Sequence, residues 1–381
     1  MEKLIALIDC DSFFVSCEQA VNPRLKGLPV VVTTGERGCV VSRSKEAKAL
    51  GVKMGIPVFM DKKEHSGVVY IRGNKGLYSR ISKRVMEIIR NYSPVVEVSS
   101  IDEAYIDLTG TERMYKLPPE AIAQKIREEI KKKTDIPVSA GLGLTKTLAK
   151  LACDKSKRSN GILHIGKDNL SDVLKDTMIE EVCGIGKTCA RTLKMLGIFT
   201  AADLVATPDT VLKRAAGKTG QDMKYELSGV CVHPVDCRPK PPQSVQDTAA
   251  LEDFSRDKAV LKRAMRRHIH NSCRRMRLHD GFCTVAGLML RTKDFHVFMQ
   301  RRRLPCPTNA ESDVCQVLDA LLDEMFDPAR IYRSVGVTLE GLDYDQDTDL
   351  FRCASRHDSK LDKAIDELEM KFGTGIIKRI A

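Results

Sequence analysis

The 381-residue chain has no tryptophan and only 5% aromatic residues, so broad base-stacking platforms are not expected and any nucleic acid would be held by its phosphates. Its thirteen cysteines include no C-x-x-C pair, and the nearest pairings, Cys183/Cys189 and Cys231/Cys237, lack metal-ligand spacing. That argues against a zinc or disulfide framework and for reduced, buried side chains. No apolar run is long enough for a bilayer, and Leu4 to Ile8 is too short for a signal-peptide core, so no membrane partner and a cytoplasmic location are expected. Long-period repeats and low-complexity tracts are missing too, which excludes solenoids and disorder as the main state.

What is present is an excess of cations: 62 Lys+Arg against 51 Asp+Glu, a net charge of +11, which points to anionic partners. With 43% hydrophobic residues, the chain has material for the cores of about two to four domains.

Strands and helices alternate over residues 1–167. Leu4 to Ile8 reads as a buried strand that Asp9-Cys10-Asp11-Ser12 breaks before a helix patterned by Phe13, Phe14, Cys17 and Val21. Strands follow at Pro29 to Thr33 and Cys39 to Val41, then helices at Ser44 to Leu50 and Tyr78 to Tyr92. A hairpin, Val95 to Leu108, bends at Ser100 to Glu103. Helix Pro119 to Lys133, strand Val138 to Leu144, helix Thr147 to Lys157 and strand Gly161 to Ile165 complete an α/β or α+β layer. Residues 168–235 are helical and glycine-punctuated, and the proline-rich stretch 236–244 reads as a linker. Residues 245–343 follow a β-α-β-β-α-β order, which predicts a four-stranded sheet with two helices on one face. The tail, 344–381, is polar and closes on a helix near Phe372-Gly373.

Two acidic sites attract attention. An isolated Asp9-x-Asp11 is ordinarily a helix cap, and Asp11-Ser12 reads as one; Asp9, directly after a buried strand, is costly unless paired. Asp102-Glu103, taken alone, is a solvated turn. If neighbouring strands bring Asp9, Asp102 and Glu103 to one point, their repulsion calls for cations, and two Mg²⁺ about 3.5–4 Å apart would suit phosphoryl transfer. Lys150, Asp154 and Lys157 share one helix face, and Arg43, Lys45 and Lys48 form a second basic cluster; a triphosphate or plain solvation accounts for either.

Four segments, Ile8 to Glu18, Val40 to Gly51, Ser100 to Tyr105 and Lys146 to Ala152, resemble, in order, the motifs of Y-family translesion DNA polymerases, and the chain most resembles the UmuC-like bacterial branch. The resemblance runs over nearly the whole length. It implies an α+β multidomain fold: palm and fingers over 1–167, with fingers at about 22–76; a helix-hairpin-helix thumb over 168–235; and a little-finger DNA-binding domain over 245–343. It implies catalysis by Asp9, Asp102 and Glu103, with the Cys10 backbone carbonyl as a further ligand of two Mg²⁺. Phe14 would be the steric gate against a ribose 2′-hydroxyl, where the residue pattern by itself suggests a core position. Ser42, Arg43, Lys48 and Lys157 would meet the incoming nucleotide. Lys45 departs from the tyrosine many members carry there.

Gly184-Ile185-Gly186-Lys187 fits a hairpin that grips DNA backbone without reading sequence, with a helix expected on each side. Lys262, Arg266, Arg301 and Arg302 are candidate phosphate contacts in the little finger. Leu350 and Phe351, in a polar stretch, suit either docking on a sliding clamp or packing on the last helix. The reading is an error-prone, lesion-bypass DNA polymerase of the damage response that takes primer–template DNA and deoxynucleoside triphosphates. Its rivals are a non-catalytic DNA-binding scaffold of a repair complex and a nucleotide cyclase on a similar palm.

Overall fold

The computed structural model describes residues 3–36, 38–238, 241–344 and 356–373, without the side chains of 356–360. The chain divides into two compact units at Arg238/Pro239, inside the proline-rich stretch.

The first unit begins β1 (Ile5–Cys10), α1 (Phe13–Val21), β2 (Val30–Thr33), β3 (Val40–Arg43), α2 (Lys45–Ala49), α3 (Val58–Glu64), β4 (Val69–Arg72) and α4 (Lys75–Arg90). It continues through β5 (Val96–Val98), β6 (Glu103–Asp107), α5 (Thr111–Tyr115), α6 (Pro119–Thr134), β7 (Val138–Gly143), α7 (Lys146–Ser156) and β8 (Ile162–Ile165). Four helices close it: α8 (Lys167–Lys175), α9 (Lys187–Met195), α10 (Ala201–Ala206) and α11 (Asp209–Leu227).

Its larger sheet has the order β5-β6-β1-β7-β8, with β1 antiparallel to both neighbours. Contrary to the strand end expected at Ile8, β1 runs on through Asp9 and Cys10, because Asp9 finds register partners on both sides, Glu103 and Ser139. The two faces of β1 have different neighbours. Ala6, Ile8 and Cys10 join the core formed with Ile88 and Ile89 of α4 and Ile122 and Ile126 of α6, whereas Ile5 and Leu7 pack on Ala149 and Cys153 of α7. Strand alternation therefore puts Asp9 on the α7 face. Glycines let α7 lie close: a Cβ at Gly141 would stand 2.1 Å from the Cys153 nitrogen, and one at Gly143 2.7 Å from the Leu148 Cβ.

A small sheet, β3-β2-β4, packs Val31 and Val40 against Ala47 and Val52. The sequence reading passed over α3 and β4. Apolar periodicity is weak in α3, and a buried carboxylate ties it to β4: Asp61 accepts the Tyr70 hydroxyl at 2.6 Å and pairs with His65 at 2.9 Å.

The second unit comprises β9 (Val245–Ser255), α12 (Lys258–Arg277), β10 (Cys283–Thr292), β11 (Val297–Thr308), α13 (Glu311–Met325), β12 (Tyr332–Glu340) and α14 (Arg356–Phe372). Its sheet is antiparallel, β11-β10-β12-β9, and its core joins Leu261, Ile269, Leu318 and Leu322 of α12 and α13 to Leu288, Leu290, Val335 and Val337. α14 is held by charge. Buried Arg277 donates to Asp366 at 2.6 and 2.9 Å, to Asp362 at 3.4 Å and to Glu311 at 2.9 Å, and His270 bridges Glu311 and Glu369 at 3.0 Å each. Burial alone would raise the Glu311 carboxyl; hydrogen bonds from His270 and Arg277 hold it at about 2. Among the described residues no helix is long and apolar enough to cross a membrane.

Candidate active site

α7 assembles the site. Thr145 caps it by accepting the Leu148 N–H at 3.2 Å, and Leu148, Leu151 and Ala152 are buried, which leaves a face for Lys150, Asp154 and Lys157. Lys150 Nζ lies 3.1 Å from Asp9 Oδ2 and 2.9 Å from Glu103 Oε2, and Lys157 Nζ lies 2.8 Å from Asp9 Oδ1. Asp154 stands 3.5 and 3.6 Å from the two ammonium groups. Asp9 and Glu103 are direct register partners, so carboxylates from distant stretches of sequence share one ammonium. Burial works against the Lys150 charge, but the Glu103 hydrogen bond and the Asp9 charge outweigh it and raise its pKa.

Asp102 joins through its backbone: its carbonyl accepts the Cys10 N–H at 2.8 Å, while Ser100 Oγ donates to its carboxylate at 2.5 Å. The Cys10 thiol lies in the core and is raised well above its usual range, chiefly by burial and then by the Asp102 and Asp9 charges. The groups available for coordination are therefore oxygens, the chemistry that hard divalent cations take. The Lys150 ammonium marks the point where Asp9 and Glu103 draw positive charge. Among the described residues, no three His, Cys, Asp or Glu side chains stand together as a finished ligand cluster.

Of the nucleotide candidates, Phe14, Ser42 and Lys48 meet at the start of α1. Phe13 is core, whereas Phe14 is half-buried and stacks on Tyr78 with centroids 4.6 Å apart and planes 22° apart. The Tyr78 hydroxyl is anchored on Glu18 at 2.7 Å. Ser12 takes a left-handed backbone, φ 48°, a strained state for a residue with a side chain. It holds the N-cap position but its side chain caps nothing, so the expected Asp11-Ser12 cap is corrected. Asp11 is drawn away by Ser139, whose hydroxyl donates to it at 2.8 Å. Ser42 takes over, donating to the Ser12 carbonyl at 3.2 Å and accepting the Val15 N–H at 3.4 Å. Lys48 donates to Ser12 Oγ at 2.8 Å, and its pKa is lowered by burial and then by the Arg43 charge. Arg43 donates to the Val52 carbonyl and keeps a buried Nε without a partner, while Lys45 is exposed.

In the glycine hairpin, Gly184 has φ 97° and Gly186 caps α9, whose first residue, Lys187, is exposed. Only the downstream side is a full helix. Upstream lies a single 3₁₀ turn, Ile179–Glu181, because α8 stops at Lys175 and the chain turns through Thr177 into a bridge between Met178 and Thr200.

The basic candidates of the second unit each have a carboxylate. Lys262 lies 3.4 Å from Asp319, Arg266 pairs with the same residue, and Arg302 makes two 2.8 Å bonds to Glu324 of α13. Arg301, one position away in β11, points to the helix-free face and pairs with Glu340 at 2.8 Å. Leu350 and Phe351 lie outside the described residues.

Two family models match the chain: one described as the impB/mucB/samB family over residues 8–154, and its C-terminal domain over 242–350. A DNA polymerase IV of Brucella melitensis biotype 1 is 30% identical, over 98% of this chain and 84% of its own. Among solved structures, a Y-family DNA polymerase chimera of Dbh and Dpo4 is similar at a TM-score of 0.80 and 28% identity, covering 90% of this chain and 100% of its own. An insertion ternary complex of Dbh DNA polymerase is similar at 0.61 and 27%, covering 88% and 98%.

Proposed function

Since this chain belongs to the impB/mucB/samB family and is a DNA-directed DNA polymerase of the Y-family translesion type, we propose that Asp9, Asp102 and Glu103, with the Cys10 carbonyl, hold two Mg²⁺ where a primer is extended. The observation that carries this reading is the meeting of Asp9 and Glu103 on one ammonium, at 3.1 and 2.9 Å, on the face from which α7 projects. When bound, the cations supply Lewis-acid activation of the primer 3′-hydroxyl and neutralise charge on the triphosphate. Asp9 and Glu103 hold their positions because they are fixed in adjacent strands. Lys150 and Lys157 carry ammonium charge to the same point and face the phosphates once the carboxylates have other partners.

Ser42, Arg43 and Lys48 line the triphosphate side, and Phe14, braced by Tyr78, lies beneath the sugar and excludes a 2′-hydroxyl. The substrates in this reading are primer–template DNA and deoxynucleoside triphosphates, and the work is done in the cytoplasm. Gly184, Gly186 and Lys187 offer backbone N–H groups and charge to a DNA strand. Arg301 meets DNA from the open face of its sheet, while Lys262, Arg266 and Arg302 exchange Asp319 or Glu324 for phosphate. Each phosphate contacted adds about 0.9 to the log–log salt slope of binding. Leu350 and Phe351 dock on a sliding clamp, and deleting 347–351 removes clamp stimulation but spares distributive synthesis. The test is primer extension with Mg²⁺ on intact and damaged templates: wild type extends and Asp102→Ala does not, whereas equal extension by both would overturn the assignment.

A further inference from the structure

A buried carboxylate outside the reacting centre stands at the head of the helix that carries the two site lysines. Glu226, at the end of α11, is fully buried. Its Oε2 accepts the Thr147 N–H of the first turn of α7 at 3.3 Å. Its Oε1 accepts the N–H groups of Val232 and His233 at 2.7 and 2.9 Å. Its backbone carbonyl accepts the Thr145 hydroxyl at 2.8 Å, and the oxygen of that hydroxyl in turn accepts the Leu148 N–H at 3.2 Å. A negative charge at this end of a helix is stabilised by the unpaired N–H groups and the dipole. The fold also spends a glycine here: Gly229, at φ +86°, turns the chain back towards Glu226 where a Cβ would stand 2.9 Å from Leu144.

A second tie lies beside it. Lys146 Nζ reaches both oxygens of Glu97 on β5, at 2.8 and 2.6 Å, and Glu97 also accepts the Asp236 N–H at 2.8 Å. The first turn of α7 is thus fixed from the end of α11 and from the following segment, and Lys150 is less than one turn further on.

We propose that Glu226 is a positioning residue that sets the placement of α7, and through it the Lys150 and Lys157 ammonium groups, so that nucleotide binding depends on how the helical α8–α11 region is seated. This rests on the reading of Lys150 and Lys157 as triphosphate contacts. Glu226 touches no reacting atom. Its effect passes through α7, and a displacement of an ångström at such a distance is enough to cost affinity.

The experiment measures the equilibrium Kd of a deoxynucleoside triphosphate for the protein bound to a dideoxy-terminated primer–template, so that no chemistry occurs. Glu226→Gln is expected to weaken binding about tenfold in the wild-type background and distinctly less once Lys150→Met is present, the non-additivity of residues that act through one helix. Thr145→Ala, which cuts the hydroxyl joining Glu226 to α7, is the second variant should Glu226→Gln fail to fold; it follows the same pattern, and Thr145→Ser restores the wild-type Kd. Unchanged Kd, or equal loss with and without Lys150, overturns the proposal. If Lys150→Met by itself leaves the Kd unchanged, the fault lies with the triphosphate reading beneath it.

Discussion

Two charge clusters set cations against Asp and Glu, lysines around Asp9 and Arg277 with His270 in the second unit, and they differ in closure. Around Asp9 the side chains of Lys150 and Lys157 are 16% and 35% exposed, and the carboxylates of Asp9 and Glu103 11% and 20%. Around Arg277 the values fall to 2% for the guanidinium and 3–9% for Asp362, Asp366 and Glu311. The closed cluster has its cations fixed by several hydrogen bonds and serves to seat α14. The open one holds its two ammonium groups on Asp9 and Glu103 within reach of solvent. Buried pairing gives structure, and half-buried pairing leaves room for exchange.

The comparison breaks most visibly at the open cluster. Asp9→Asn should lower the single-turnover extension rate on the order of a thousandfold, several kcal/mol of transition-state stabilisation, while the melting of the second unit stays unchanged. At the closed cluster, Arg277→Met strands several buried carboxylates and should cost about 3–5 kcal/mol, read by chemical denaturation. Loss of extension without loss of stability in that variant would reverse the assignment of the two clusters. Phe14→Ala should admit ribonucleotides by roughly a hundredfold relative to wild type and largely spare deoxynucleotide insertion, as competing single-nucleotide incorporation would report.

The smallest effect is in pH. Glu311 is depressed from 4.5 to about 2, so its contribution is present above about pH 4.5 and is lost as pH falls towards 2. Hydrogen bonding to Glu311 raises His270 from 6.5 to about 9, so its contribution is full below 6.5 and is lost as pH rises through 9. Protection of α14 amides from hydrogen exchange should therefore be greatest between these limits, and His270→Gln should flatten the alkaline side.

Sequence periodicity is enough for the elements with a strong apolar stripe. α4 and α6 fall close to their expected bounds, and the β-α-β-β-α-β order yields the four-stranded sheet with Leu288, Leu290, Val335 and Val337 in its core. It fails where polar contacts replace the stripe, as at α3, which leans on Asp61. In the site, the i, i+4, i+7 spacing signals that Lys150 and Lys157 share a face, but it carries no information about which carboxylates they meet; that needs the register of β1 with β6 and the glycines that let α7 close on β7. The cap at α1 illustrates the same limit. Asp11-Ser12 has the residue types of a cap, yet Ser42, thirty residues on, supplies the hydroxyl. The pairing of Arg302 with Glu324 is likewise invisible in a run of three arginines, where only alternation along β11 separates Arg301 from its neighbours.

The most direct test of the central claim is a titration of the protein, bound to a dideoxy-terminated primer–template and a deoxynucleotide, with Mn²⁺ followed by paramagnetic resonance. Wild type should bind two ions, and Asp9→Asn, Asp102→Asn or Glu103→Gln should each weaken or remove at least one. Equal Mn²⁺ binding by all four proteins would contradict the account.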